Sequence, residues 1–319
     1  MRFEGNPEVL RNLFRRQRYM ERGDIRQYEY RPALFASTGV MRGVMGGGKG
    51  RALERRKLNR VFTHMLGSST GAASGQFMPA GQIAEHLNLY WIEAVSKDFI
   101  QFDRFWKGGR PIEDTVFLCE AFKRKLDLDA FYDSPVEFWV GVTCAITGKG
   151  SFLNAKRKGI HPVDLVHASI AIPGLCGGPV LIDGHPYYDG AGAMGMPTWE
   201  IIEQFSPTDL LIFPNCPDEG KGSVVGRLIL GALLARERPA LQKAFLTRHQ
   251  RFAEGVEYLR QQKKIRWAIV WTDNSIGQYE RTPAKLQDAA DRADAFMSNL
   301  LTGAQEHVER EQKQFLAAE

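Results

Sequence analysis

Val61-Phe62-Thr63-His64-Met65-Leu66-Gly67-Ser68-Ser69-Thr70-Gly71 runs an apolar stretch straight into a Gly-x-Ser-x-Gly pentapeptide. The apolar stretch reads as a buried strand, and the glycine-bounded serine reads as a sharp strand-to-helix turn. Such a turn holds its central residue in a strained backbone geometry, so the positions two before and two after Ser69 must lack side chains that would clash. Ser69 Oγ then stands at the C-terminal edge of a sheet and the N-terminus of a helix, the placement of a nucleophile that forms an acyl-enzyme. Turns collect Ser and Gly for conformational reasons alone, so the pentapeptide needs support from elsewhere in the chain.

Upstream, Pro32-Ala33-Leu34-Phe35-Ala36-Ser37 reads as a short strand running into Thr38-Gly39-Val40-Met41-Arg42-Gly43. A strand, a glycine-containing loop and a helix make an anion-binding arrangement, because unpaired backbone amides and the helix dipole can hold a developing oxyanion. Gly46-Gly47-Gly48-Lys49-Gly50 invites a phosphate-loop reading, but Gly50 follows Lys49 where a hydroxyl residue would ligate magnesium. Downstream, Pro179 to Ala191 reads as two short strands around an Asp183-Gly184 hairpin turn, followed by Asp189-Gly190-Ala191. The small residues after Asp189 let its carboxylate approach another loop closely, although a structural turn is the simpler reading of any single Asp-Gly.

The remaining chain alternates strands and helices. Phe138 to Cys144, Asp209 to Pro214 and Ile265 to Trp271 read as strands, Ala52 to Arg60 as a crossover helix, Ala72 to Val95 as the helix after the elbow, and Pro283 to Phe315 as a charged helical tail. Phe99, Phe102, Phe105 and Trp106 recur near helical spacing and read as core. The pattern implies a mostly parallel sheet covered on both faces. It divides into a charged, partly helical extension over 1–30, a catalytic core over 31–205, and a strand-and-helix region over 206–319 packed on that core.

Loop, elbow and Asp-Gly-Ala, in this order, resemble the patatin-like phospholipase family, as does Ala168-Ser169 followed by Pro173 and then Gly178-Pro179-Val180. The resemblance implies a three-layer α/β/α fold and a serine acyl hydrolase that cleaves lipid carboxylic esters, of phospholipase A or lysophospholipase type, with no metal or organic cofactor. It makes Ser69 the nucleophile and Asp189 the general base of a dyad without histidine. Backbone amides around Thr38, Gly39 and Val40 become the oxyanion hole, supported by Arg42, which braces the loop, and by Gly43, Gly67, Gly71 and Gly190. The loop departs from the family's consecutive glycines: Thr38 and Val40 flank a single Gly39, and a β-branched residue resists unusual φ/ψ values. Ser68 and Thr70 also flank Ser69, with Ser68 expected to point away from the cleft.

Two other readings stay open. The order Ser69, Asp183 or Asp189, His249 fits a Ser-His-Asp esterase, although Thr247 to Arg251 reads as an amphipathic helix. The altered loop also fits a catalytically weak family member that binds lipid or a partner protein.

Composition agrees with a soluble enzyme: 319 residues at 44% hydrophobic content can bury a large core. Cys119, Cys144, Cys176 and Cys216 are scattered and suit free thiols in a reducing compartment. The N-terminus carries Arg11, Arg15, Arg16 and Arg18 with no apolar stretch of a secretory signal after them, so a cytoplasmic protein is expected. Val224 to Ala235, the longest apolar stretch, is too short to span a bilayer. A net charge of +5 and a pI near 9.0 favour loose contact with an anionic membrane surface, whereas no motif supports nucleic-acid binding.

Overall fold

In the computed structural model, residues 1–96, 115–176, 178–217 and 230–318 are described. The aromatic set Phe99 to Trp106 lies outside the described residues, as does the first half of the stretch Val224 to Ala235. The sheet is built from β1 (Arg2–Gly5), β2 (Pro32–Ala36), β3 (His64–Ser68), β4 (Glu137–Cys144), β5 (Gly150–Asn154), β6 (Val180–Ile182), β7 (His185–Asp189), β8 (Asp209–Phe213) and β9 (Arg266–Trp271). Its order is β1-β9-β8-β2-β3-β4-β7-β6, with β5 paired to β4. The five central strands β9, β8, β2, β3 and β4 are parallel, and the flanking strands are antiparallel.

Six helices frame the site: α1 (Glu8–Glu21), α2 (Gly43–Arg55), α3 (Thr70–Gly75), α4 (Pro162–Ile170), α5 (Arg248–Arg260) and α6 (Pro283–Ala318). Alternate residues of the central strands point to opposite faces, as the two-residue period of a strand requires. Leu34, Leu211, Phe213, Ala268 and Val270 join one cluster with α1, α2, α3 and α6. Ala33, Phe35, Leu210, Ile212, Ile269 and Trp271 join another with Val256 and Leu259 of α5. This is the three-layer α/β/α arrangement, and it explains why β2 and β8 are buried at every position.

Residues 1–30 differ from the expected extension. β1 closes one edge of the sheet against β9, and Val9, Leu10, Leu13 and Phe14 of α1 belong to the main core. The charges lie on the polar face of an amphipathic helix, with Arg11, Arg15 and Arg18 opposite its buried residues and Arg15 paired with Glu8 and Glu311. Residues 206–319 supply β8 and β9 to the interior of the same sheet, β8 pairing directly with β2.

Gly46 to Gly50, four glycines around one lysine, lie inside α2 and are buried. Glycine weakens a helix by about 1 kcal/mol per residue relative to alanine, and close packing offsets that cost here. A Cβ on Gly47 would stand 2.3 Å from Leu87 Cδ1, and one on Gly48 would stand 2.3 Å from the Ala290 carbonyl oxygen of α6. The crossover helix therefore begins at Gly43 and ends at Arg55, earlier than the expected Ala52 to Arg60. Past the elbow the expected long helix is a short α3 followed by two four-residue turns of helix, Ile83–His86 and Leu89–Ile92.

Candidate active site

Ser69 sits between β3 and α3 with φ 55° and ψ −126°, a conformation an L-residue adopts only when the surroundings enforce it. The two elbow glycines make that possible by close approach. A Cβ on Gly67 would stand 2.6 Å from Ala72 Cα, and one on Gly71 would stand 2.1 Å from the Ala36 carbonyl oxygen. Ser69 N–H donates to Ser169 Oγ at 2.8 Å, and Ser169 Oγ donates to the Gly141 carbonyl at 2.6 Å. Ser169, fully buried on α4, thus ties the elbow to β4. Its place in the Ala168-Ser169 pair was visible in the sequence, but its partner 100 residues away was not.

Asp189 ends β7, after the Asp183-Gly184 hairpin whose two residues take positive φ values of 50° and 76°. Ser69 Oγ donates to Asp189 Oδ2 at 2.8 Å, while Ala191 N–H donates to Oδ1 at 2.6 Å. Asp189 N–H donates to the Ala171 carbonyl at 2.8 Å, and Thr143 Oγ1 donates to the Asp189 carbonyl at the same distance. Gly190 has to be small, because a Cβ there would stand 2.2 Å from Ser68 Oγ and 2.4 Å from the Gly141 oxygen. Burial is the dominant influence on this carboxyl and raises its pKa to about 7; the Ala191 and Ser69 hydrogen bonds and the charge of Arg248 oppose it.

Thr38-Gly39-Val40 lies beside the elbow, with Val40, Met41, Ser69 and Asp189 lining one channel. Val40 has φ 51°, a value that a β-branched side chain resists, so valine occupies a conformation suited to glycine. Within the loop Arg42 N–H donates to the Gly39 carbonyl at 3.1 Å, and the loop is held from outside where Met41 N–H donates to Gln278 O at 3.1 Å and Arg42 Nε to Ile276 O at 3.0 Å. Among the described residues no protein acceptor takes the amides of Thr38, Gly39, Val40 or Thr70. Gly43 packs against the Thr70 hydroxyl, which is hydrogen-bonded to the hydroxyl of half-buried Tyr90.

The channel's walls include Ala73, Phe77, Ile83, Leu87, Leu118 and Phe122. Ser68 is fully buried against Gly190 and does not line it. Asp183 pairs with Arg157 at 2.7 Å, away from the dyad, and His249 lies on α5 and not on the channel wall. The Ser69 hydroxyl has a carboxylate as its partner where a Ser-His-Asp site would place an imidazole. His86 lines the channel, with its ring tilted against Phe77 at 5.1 Å.

The family description Patatin-like phospholipase matches residues 35–202, from β2 through the elbow and Asp189. Uncharacterized protein YjjU of Escherichia coli (strain K12) is 26% identical over 197 residues, which are 59% of this chain and 53% of that protein, so the match spans about half of the relative. Among solved structures, VipD from Legionella pneumophila is 13% identical, with a TM-score of 0.41 over 86% of this chain and 67% of that one. The complex of full-length SpcU and full-length ExoU from Pseudomonas aeruginosa gives 14% identity and a TM-score of 0.33, over 73% of this chain and 54% of that one. The family match covers more than half of the chain and contains the elbow, the Asp-Gly-Ala turn and the strands that carry them, and on that ground the chain belongs to the patatin-like phospholipase family.

Proposed function

We propose that this protein is a serine acyl hydrolase acting on carboxylic esters of lipids through the Ser69–Asp189 dyad. The observation that carries the reading is the 2.8 Å hydrogen bond from Ser69 Oγ to a fully buried carboxylate, at the wall of an apolar channel. A carboxylate in water, with a pKa near 4, is a weak base for an alcohol. Buried and raised to about 7, Asp189 is better matched to that proton.

In the first step Ser69 Oγ attacks the ester carbonyl carbon as its proton passes to Asp189 Oδ2. The amides of Thr38, Gly39, Val40 and Thr70, which have no protein acceptor among the described residues, are the donors available to the oxyanion, a contribution of about 3 kcal/mol per donor in comparable sites. The carbon–oxygen bond to the alcohol then breaks, and the Asp189 proton leaves with that alcohol or lysolipid. Water next gives a proton to Asp189 and adds to the acyl carbon; the tetrahedral species collapses, and Ser69 leaves with the proton returned. The apolar channel is suited to the acyl chain, and the net charge of +5 favours work at an anionic lipid surface.

No helix among the described residues is long and apolar enough to cross a membrane. We place the reaction in the reducing cytoplasm, in keeping with four cysteines that form no disulfide. The test is labelling of the purified protein with a fluorophosphonate probe, with Ser69→Ala alongside and the modified peptide located by mass spectrometry. Modification confined to Ser69, followed by turnover of lipid esters, is the expected result; a well-folded protein that takes no label points to the binding-module reading.

A further inference from the structure

Asn215 follows β8, lies in the part of the chain beyond the family match, and is fully buried beneath the loop at Thr38 to Val40. We propose that Asn215 is a positioning residue that aims the oxyanion-loop amides at the Ser69 reaction centre, an inference that rests on the hydrolase reading above. Its carboxamide Nδ2 donates to the Ser37 carbonyl at 2.6 Å, and its backbone N–H donates to Ser37 Oγ at 3.1 Å. In a trans peptide the carbonyl and the following N–H point in opposite directions. Tying down the Ser37 carbonyl therefore sets where the Thr38 amide points. The Gly39–Val40 peptide is set in the same way, because the Gly39 carbonyl accepts from Arg42 N–H.

The side chain has no other evident purpose. Asn215 Oδ1 is buried without a hydrogen-bond partner among the described residues, and it rests on Gly46 of α2, where a Cβ would stand 2.4 Å from it. A leucine would pack in such a place without burying an unsatisfied oxygen, so what the carboxamide contributes is its donor. Asn215 also shapes the loop by contact, since a Cβ on Gly39 would stand 2.4 Å from the Asn215 carbonyl oxygen and 2.5 Å from its Cβ. The support is anchored further back. Fully buried Lys49 of α2 donates to Val270 O at 2.8 Å and reaches Pro214 O at 3.5 Å, so the peptide that carries the Asn215 amide is held from the opposite side.

Asn215→Asp keeps the shape and removes the donor. Its kcat on p-nitrophenyl butyrate is expected to fall about 30- to 100-fold with KM within about twofold, the size of effect seen when oxyanion donors are lost or misaimed. Amide hydrogen exchange in peptides covering residues 37–42 is expected to accelerate in the same variant. Val308→Ala, a core change on α6, serves as the control for general destabilisation and should alter neither readout. Where Asn215→Asp does not fold, Asn215→Ser makes the same comparison with a side chain too short to reach the carbonyl. Unchanged kcat and exchange in a folded variant, or changes no larger than those of an equally destabilised Val308→Ala, overturn the proposal. A wild-type protein that turns over no ester sinks the hydrolase reading, and with it the catalytic part of this one; exchange at 37–42 then still decides whether Asn215 holds the loop.

Discussion

Ser69 and Asp189 leave the sheet on opposite sides of β4 and meet over its Gly141. Ser68 is paired with Gly141 on one side, and Asp189 is paired with Val142 on the other. The two side chains close a 2.8 Å hydrogen bond across that strand, and the Gly141 carbonyl below it accepts from Ser169 Oγ, which also holds the elbow amide. The pair is thus spaced by the width of a single strand and fixed by the sheet, not by loop contacts alone.

If the dyad does the chemistry, Ser69→Ala and Asp189→Asn should each lower kcat by at least about 10⁴-fold while far-ultraviolet circular dichroism stays unchanged. His249→Ala should retain wild-type turnover within about threefold. A loss in the histidine variant comparable to that in Asp189→Asn would replace the dyad with a triad.

Asp189 must be ionised to accept the serine proton, so kcat/KM should rise with pH through an apparent pKa near 7 and then level off. The same carboxyl has a stability signature. Its folded pKa is raised above the unfolded value, so the folded state holds the proton more tightly, and stability falls as pH rises from about 4 through about 7. Asparagine cannot ionise, and the melting temperature of Asp189→Asn should gain on that of wild type over the same interval. A constant difference between pH 4 and pH 9 would contradict the raised pKa.

Ser169→Ala leaves the Ser69 amide and the Gly141 carbonyl without their partner in a fully buried place. The expected cost is about 1–3 kcal/mol in denaturant unfolding. Activity should fall as well, because Ser69 relies on that bond to stay at a positive φ. Equal unfolding midpoints for the two proteins would argue that Ser169 is incidental to the elbow.

Ala73 lies on the turn of α3 just after Ser69 and lines the apolar channel. Ala73→Phe should narrow the channel near Ser69 and lower turnover of long-chain esters by about tenfold or more, while short-chain esters are spared. The overpacking should cost about 1–3 kcal/mol of stability. Uniform loss across chain lengths would show that the acyl chain does not use this channel.

At Val40 the usual order of substitutions should invert. A left-handed backbone costs a non-glycine residue about 1–2 kcal/mol, so Val40→Gly should be more stable than Val40→Ala by about 1 kcal/mol. Thermal melts of the two variants provide the comparison.

The elbow, the Asp183-Gly184 turn and the Asp189-Gly190 step were legible because each is a demand of local backbone conformation met by one or two residue types. The central strands were legible as apolar runs, and their ends shifted by a few residues, with β3 starting at His64 and not at Val61. The glycines of α2 carry no helical signal of their own, because their helix is favoured by neighbours, Leu87 and Ala290 among them, that are distant in the sequence.

The chain's own order of residues determined the glycine-bounded turn at Ser69, the aspartate step at 189 and the alternation that builds a parallel sheet, since φ/ψ preference and hydrophobic period act over neighbouring residues. Tertiary structure decided the rest: that Asp189 comes within 2.8 Å of a serine 120 residues earlier, that burial lifts its pKa to about 7, and that Ser169 and Asn215 hydrogen-bond to the backbone at Ser69 and Ser37. Serine and asparagine have the same local signature at a surface turn as at a buried support. Only the strand order, which is set by contacts between distant segments, distinguishes the two.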